Sequence, residues 1–303
     1  MNTWRASHSF PLNTLQMSLR KRSREIDPQA FVAQRLKRAP SVVSKLERNP
    51  SMKLSRMQDL GGCRSILRDI NQVYELRRRY KESRDRHSLA SEKDYISQPR
   101  DSGYRGVHVI YQYRSDRKSE YNGHRIELQL RTQVQHAWAT AVEIAGIYVR
   151  SPLKSSIGPD DWLRFFQLAS SAFCNIEGTA HLDQHEGLDV GNEIKILNEK
   201  IDVLAKLENF SVVHDVVQQQ RKKSHRYFVL FLDLQEGRLT LEPFSGEIES
   251  SLRYAELERE TIDDTNKDVV LVSTDSIDAV AAAYPNYFAD TSKFIGLMRD
   301  YLI

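Results

Sequence analysis

Hydrophobic and polar positions alternate strictly over residues 125–131, RIELQLR. Ile126, Leu128 and Leu130 fall on one side and Arg125, Glu127, Gln129 and Arg131 on the other. Side chains of a strand point to opposite faces in turn, so the segment predicts a strand with one core face and one charged row. Cys63, Ser65 and Leu67 alternate in the same way after a bend at Gly61-Gly62, and residues 107–113 read as a strand. Asn122-Gly123 is the turn that would fold that strand back onto 125–131 as a hairpin. Helical spacing dominates elsewhere. Val73, Leu76 and Tyr80 mark the buried side of a helix over 71–87. Trp138, Val142 and Ala145 mark another over 134–149, whose opposite side carries His136, Thr140 and Glu143. Trp162, Phe165, Phe166 and Phe173 give an aromatic helix over 161–178. Ile194, Leu197, Ile201, Leu204 and Leu207 recur as in a helix that lies along another helix.

The ends of the chain have a different character. Residues 1–27 read as a basic arm, and Arg20, Lys21, Arg22 and Arg24 form a cluster that is either solvated or set against RNA phosphates. Asp27-Pro28 predicts a helix start that carries Arg35, Lys37 and Arg38 as far as Ala39-Pro40. Ser41 then caps a second helix, with Val42, Val43 and Leu46 on its apolar side and Lys45 near its polar side. A second unit begins near Arg226, with strands over 227–234 and 238–244 around Glu236-Gly237. It continues with a helix over 248–263, a strand over 268–273, a helix over 276–283, the run Tyr284-Pro285-Asn286-Tyr287, and a last helix over 291–302. The expected division is an arm at 1–27, a main domain at 28–190, a helical connector at 191–225 and a smaller α+β domain at 226–303.

Charge adds a direction. The net charge is only +3 over 303 residues, but the Arg and Lys clusters lie in the N-terminal half and the C-terminal part is rich in Asp and Glu. A basic half suits a polyphosphate or RNA partner, and an acidic half can mask it. The two cysteines, Cys63 and Cys174, exclude a Cys-rich zinc site and a disulfide framework. No apolar run is long enough to span a bilayer and no signal-peptide core is visible, so cytoplasm is the simplest location.

The candidate chemistry is phosphoryl-type. Basic residues around a helix start make an anion cradle, because free N–H groups, the helix dipole and full charges point the same way. Asp59, beside the Gly pair, becomes a metal ligand only with a second carboxylate, and Glu127 is the natural one. Mg²⁺ is commonly held by one or two carboxylates plus the substrate's own phosphates. The loop 94–108 adds Arg100, Tyr104, Arg105 and His108 around Gly103. His181, Asp183, His185 and Glu186 fit no metal-ligand template.

Four runs, RLKRAPSVVSKL from Arg35, QDLGGCR from Gln58, KDYISQPRDSGYRGVH from Lys93 and ELQLRTQVQHAWA from Glu127, resemble the RelA/SpoT-type nucleotide pyrophosphokinase domain. The resemblance implies a mixed five-stranded sheet flanked by helices, and transfer of pyrophosphate from ATP to a ribose 3′-hydroxyl with release of AMP. It implies that Arg35, Lys37, Arg38, Ser41, Lys45, Arg64, Lys93 and Arg100 serve ATP, with Arg100 standing where Lys is common. Asp59 and Glu127 would hold Mg²⁺, and Glu127 would take the hydroxyl proton. Tyr104 would stack on the acceptor base, with His108, Gln129, Arg131 and His136 beside it. The family's metal-dependent hydrolase motif is missing upstream of Arg35. The C-terminal YPNY instead resembles the CapRel-type fused toxin–antitoxin proteins, in which such tyrosines occupy the ATP site until a phage capsid protein releases them. On that resemblance Tyr284 and Tyr287 are autoinhibitory, the acceptor is the 3′ end of tRNA, and translation is blocked. Two alternatives stay open: an alarmone synthetase acting on GDP, GTP or ADP, and a silent nucleotide- or phage-sensing protein.

Overall fold

The computed structural model describes residues 2–303 apart from 84–85, 210–212, 217–225, 234, 237, 262–263, 265, 275–279, 282–283, 286 and 289; at residues 2 and 213–216 only the backbone is described. The expected helix over 276–283 and the Glu236-Gly237 turn fall largely outside the described residues.

The helices are α1 (Asn2–Ala6), α2 (Ser9–Ile26), α3 (Ala39–Arg48), α4 (Ile70–Lys81), α5 (Gln133–Tyr148), α6 (Asp160–Glu177), α7 (Val190–Ile201), α8 (Val203–Asn209), α9 (Glu247–Glu260) and α10 (Ser292–Leu302). The strands are β1 (Phe31–Leu36), β2 (Gly61–Leu67), β3 (Ser88–Asp94), β4 (Val107–Gln112), β5 (Arg125–Thr132), β6 (Val213–Val216), β7 (Tyr227–Asp233), β8 (Arg238–Phe244) and β9 (Lys267–Ser273). Among the described residues they form one nine-stranded sheet in the order β3-β4-β5-β2-β1-β9-β7-β8-β6. β2 and β5 run parallel, as do β6 and β8, and the other neighbours are antiparallel.

The α+β class and the helix-flanked sheet agree with the sequence reading, but the sheet is larger. The five strands β1–β5 form one continuous half, and the C-terminal strands extend it past β1. The joint is narrow: only Gln34↔Ser273 and Arg35↔Val272 are paired between β1 and β9.

Each face has its own cover. Ile126, Leu128 and Leu130 pack with Leu12, Leu15 and Leu19 of α2 and with Val73 and Leu76 of α4. Farther along the same layer, Tyr254 and Leu257 of α9 lie on Val229 and Val269. On the other face α5 and α6 build a core around Trp138, Phe165 and Phe173, and α10 adds Phe294, Ile295 and Met298 to it. The last helix therefore completes a core begun by residues 137–173.

Three expectations at the N-terminus change. The basic arm is helical over Asn2–Ala6 and Ser9–Ile26, and α2 buries Leu12, Leu15 and Leu19 because they share one side at helical spacing. Asp27 ends α2, and the segment with Arg35 is the strand β1. Its Val32 and Ala33 are buried between two sheet neighbours, and that tertiary pairing outweighs the Asp-Pro helix signal. α3 begins at Ala39 with Pro in its first turn, two residues before the expected Ser41 cap. In the 191–225 segment α7 and α8 are separated by Asp202, in left-handed backbone at φ 50°, and the strand β6 follows.

Candidate active site

Cross-strand neighbours share a face, so the register shows which side chains can meet. Lys93 lies opposite His108, His108 opposite Gln129, Gln129 opposite Arg64 and Arg64 opposite Ala33. Glu127 lies opposite Gly62 and Gly62 opposite Arg35, so these residues look to the same side. The polar row of 125–131 is thus part of a charged face that is only partly solvated: Arg131 is 1% exposed, and Arg125, Glu127 and Gln129 are half-buried. Gly62 leaves a gap in this face between Glu127 and Arg35.

A chain of hydrogen bonds runs along the row. His108 Nδ1 and Glu127 Oε1 are 2.8 Å apart, and Gln129 Nε2 donates to Glu127 Oε2 at 2.8 Å. Arg131 Nη2 donates to Gln129 Oε1 at 3.1 Å and to Tyr104 Oη at 2.8 Å, and Tyr104 Oη lies 2.5 Å from His108 Nε2. Burial alone would raise the Glu127 carboxyl, but His108, Gln129 and Lys37 pull it down to about 2. Burial would lower His108, yet Tyr104 and Glu127 raise it. Burial would raise the Tyr104 phenol, but Arg131 and His108 draw it down to about 7. A glutamate held near 2 is a weak proton acceptor and a good partner for a cation.

Asp59 stands just before β2. Lys37 Nζ donates to its Oδ2 at 3.0 Å and Lys45 Nζ at 2.8 Å. Its Oδ1 is buried with no hydrogen-bond partner among the described residues. Such an atom costs free energy unless something else coordinates it. Among the described residues no three acidic, His or Cys side chains gather as a metal cage. Two carboxylates with a free oxygen fit Mg²⁺, which takes its remaining ligands from water and phosphates. Asp59 and Glu127 are the residues that would hold it.

The rest of the face carries an excess of cations. Burial and Arg131 lower Arg64 to about 10, despite Tyr284 and Glu143. Burial likewise lowers Lys154, which pairs with Glu143. Burial would raise the Glu143 carboxyl, but Lys154, Arg64 and Arg35 hold it well below the usual range. Glu143 and Lys154 were not among the expected site residues. Glu143 is placed by its helical phase with His136, whereas Lys154 reaches it from a separate turn that no spacing rule reveals.

The C-terminal unit covers these cations. Tyr284 and Tyr287 are buried and sit with Ala33 and Val272 in one cluster. The Arg64 guanidinium stands 5.6 Å from the Tyr284 ring centre. Burial would lower Arg35, and the Tyr287 and Tyr284 hydroxyls raise it. Asp268 pairs with Arg38, and Tyr287 Oη donates to Asp268 Oδ2 at 2.9 Å. Burial and, at Tyr287, Asp268 raise both phenols.

The remaining candidates are more dispersed. Ser41 is half-buried in the first turn of α3, and Lys93 is exposed on β3. Arg100 lies at the rim, donating to Tyr95 Oη at 2.6 Å. Tyr104 is 6% exposed, so its ring must be uncovered before a base can stack on it. His136 is buried in α5. Arg105 is an anchor: its Nε donates to Ser170 Oγ at 2.9 Å. On α2, Arg22 stacks 4.6 Å from the Tyr80 ring centre, Arg20 is half-buried, and Lys21 and Arg24 are exposed. The expected cluster of four is therefore split.

A cationic face beside two carboxylates is suited to holding phosphate groups. Residues 34–151 match the family model described as "Region found in RelA / SpoT proteins". The chain is 28% identical over 115 residues to the GTP pyrophosphokinase YjbM of Bacillus subtilis, covering 37% of this chain and 54% of that protein. It is 28% identical over 120 residues to the GTP pyrophosphokinase YwaC of the same organism, covering 38% and 56%. The chain thus spans about half the length of the curated relatives it matches. Small alarmone synthetase 1 from Bacillus subtilis, solved with its product pppGpp, superimposes with a TM-score of 0.50 and 22% identity over 59% of this chain and 94% of that one. That likeness establishes the fold. No helix among the described residues is long and apolar enough to cross a membrane.

Proposed function

We propose that the protein is an ATP-dependent pyrophosphokinase whose C-terminal unit holds the ATP site closed. The observation that carries the reading is the burial of Tyr284 and Tyr287 over Arg35 and Arg64, beside the two carboxylates Asp59 and Glu127. Arg35, Lys37, Arg38, Lys45 and Arg64 bind the ATP phosphates once the tyrosines leave. The acceptor's 3′-oxygen attacks the β-phosphorus and its proton passes to solvent; the bond to the bridging α–β oxygen breaks, and AMP departs with that oxygen. Asp59 and Glu127 would hold Mg²⁺, which would supply screening of the phosphate oxygens and a lower pKa for the hydroxyl. Glu127, held near 2 by His108 and Gln129, serves as cation ligand more readily than as proton acceptor. The basic groups carry the charge that develops on the leaving group.

For the acceptor we favour the 3′ end of tRNA. An enzyme kept shut by its own chain suits an activity that stops translation, and the exposed Lys21 and Arg24 offer contacts to RNA phosphates. By resemblance to the CapRel-type proteins, the releasing partner is a phage protein and the setting is antiviral defence. A second reading, a GDP, GTP or ADP acceptor and an alarmone product, is favoured by the names of the B. subtilis relatives. Offering tRNA and free nucleotides side by side to the Tyr284→Ala/Tyr287→Ala chain with β,γ-labelled ATP separates them. Label on the tRNA 3′ end supports the first, label on a nucleotide the second, and no label on any acceptor removes both.

A further inference from the structure

The corner between β1 and α3, residues 37–39, is gripped from both faces of the sheet by carboxylates of the C-terminal unit. On the tyrosine face Asp268 pairs with Arg38. On the other face Glu258 of α9 reaches the start of α3, where the Ala39 N–H donates to its Oε1 at 3.3 Å. Arg5 of α1 holds the same carboxylate through both terminal nitrogens. Arg5 also donates to Tyr254 Oη at 2.9 Å and to the Lys37 carbonyl at 3.3 Å, and Tyr254 Oη donates to Glu258 Oε1 at 2.7 Å. Arg5 and Glu258 are 5% and 8% exposed. Two distant segments, α1 and α9, thus meet at the backbone that carries Lys37 and Arg38.

We propose that Glu258 is a built-in stand-in for a substrate phosphate: its carboxylate takes the free N–H at the start of α3, and nucleotide must expel it to bind. The inference rests on reading the 37–45 segment as the ATP-phosphate site, and it is independent of the tyrosines. A helix start favours an anion, and a carboxylate fixed there by a buried arginine competes directly with phosphate. Asp268 acts likewise on Arg38. Closure is therefore electrostatic as well as steric, and the seam it secures is weak on its own, since β1 and β9 share only two residue pairs. The polar character of the seam continues at Asn13, whose Nδ2 donates to Glu247 Oε1 at 2.8 Å.

The test uses the full chain, and the Glu258 variants keep both tyrosines. Binding of α,β-methylene-ATP is measured by calorimetry, and amide exchange at Ala39 by mass spectrometry or NMR, for wild type, Glu258→Gln, Glu258→Asp and, as a separate arm, Tyr284→Ala/Tyr287→Ala. Glu258→Gln removes the charge. Glu258→Asp keeps the charge for Arg5 but withdraws it from Ala39, and it guards against a variant that merely misfolds. Both are expected to bind the analogue about tenfold or more tightly than wild type, with faster exchange at Ala39. Wild-type affinity and wild-type exchange in both variants would overturn the proposal. A gain in the tyrosine variants without one at Glu258 also overturns it and leaves the tyrosine reading intact. A gain at Glu258 alone supports it and removes the tyrosine reading. If no variant binds the analogue, the ATP reading falls and the proposal, which rests on it, is overturned with it.

Discussion

Single side chains set the electrostatics of the site. Glu127 has its folded-state pKa depressed to about 2 from an ordinary 4.5. Its contribution to stability is therefore complete above pH 4.5 and is lost as pH falls towards 2. The size is on the order of 3 kcal/mol. Glu127→Gln is expected to flatten acid unfolding in that window, read by circular dichroism, and to reduce pyrophosphate transfer by roughly 100-fold or more in a tyrosine-released background. An unchanged rate would remove Glu127 from the reaction. Tyr104 gives a second residue-scale signature. Its phenol is drawn down to about 7, whereas Tyr284 and Tyr287 are raised. Ultraviolet difference spectra should show one tyrosine ionising near neutral pH, and Tyr104→Phe should abolish that step. If the step persists in Tyr104→Phe, another phenol is responsible.

At the scale of elements, the loop between β3 and β4 is locked by Gly103. Its φ is +86°, and an added Cβ would lie 2.8 Å from Ser170 Cβ and 3.2 Å from Trp138. Ser170 Oγ also donates to the Gly103 carbonyl at 2.6 Å. Gly103→Ala should cost about 1–3 kcal/mol, seen as a lower melting temperature, because both backbone and neighbours must give. An equal melting temperature would show that the loop is not strained there. The N-terminal helix is structural in the same sense. Leu19 is fully buried, and Leu19→Ala should cost about 2–5 kcal/mol in denaturant unfolding, whereas a solvated arm would show no change. This is also where sequence reading succeeds and fails. The alternation of 125–131 and its hairpin with 107–113 are legible because period-two patterns and turn residues are local signals. The strand β1 was not, since Asp27-Pro28 and the basic residues gave a local helix signal and only pairing with β2 and β9 makes 31–36 a strand. β3 was missed because SLASEKD alternates poorly, and its edge position asks little of it. Arg5, Glu258 and Asp268 carry no local signal at all, because they meet residues far away in the chain.

At the scale of the molecule, the C-terminal segment is knitted into what precedes it. β9 borders β1, and α10 fills the core between α5 and α6. Truncation near residue 220 would therefore expose the edge of β1 and the socket of Phe294, so such a piece is expected to melt lower or aggregate, as light scattering would reveal. A truncated chain as stable and monodisperse as the whole would contradict this packing. Point variants at the seam disturb this packing less and are the cleaner test of the proposed closure. That proposal has two parts, the buried tyrosines beside Arg64 and the carboxylates that face the cations. The acidic character of the C-terminal part foreshadowed the second. The YPNY run pointed to the first, although its position over Arg35 and Arg64 required the fold.

The most direct test compares wild type with Tyr284→Ala/Tyr287→Ala in one label-transfer assay, with β,γ-labelled ATP, Mg²⁺ and a mixture of tRNA, GDP, GTP and ADP. A closed pyrophosphokinase predicts transfer at least about 100-fold faster in the variant, with AMP released in step with labelled acceptor. Equal rates in the two chains would contradict closure by the tyrosines, and no transfer in either would contradict the enzyme itself.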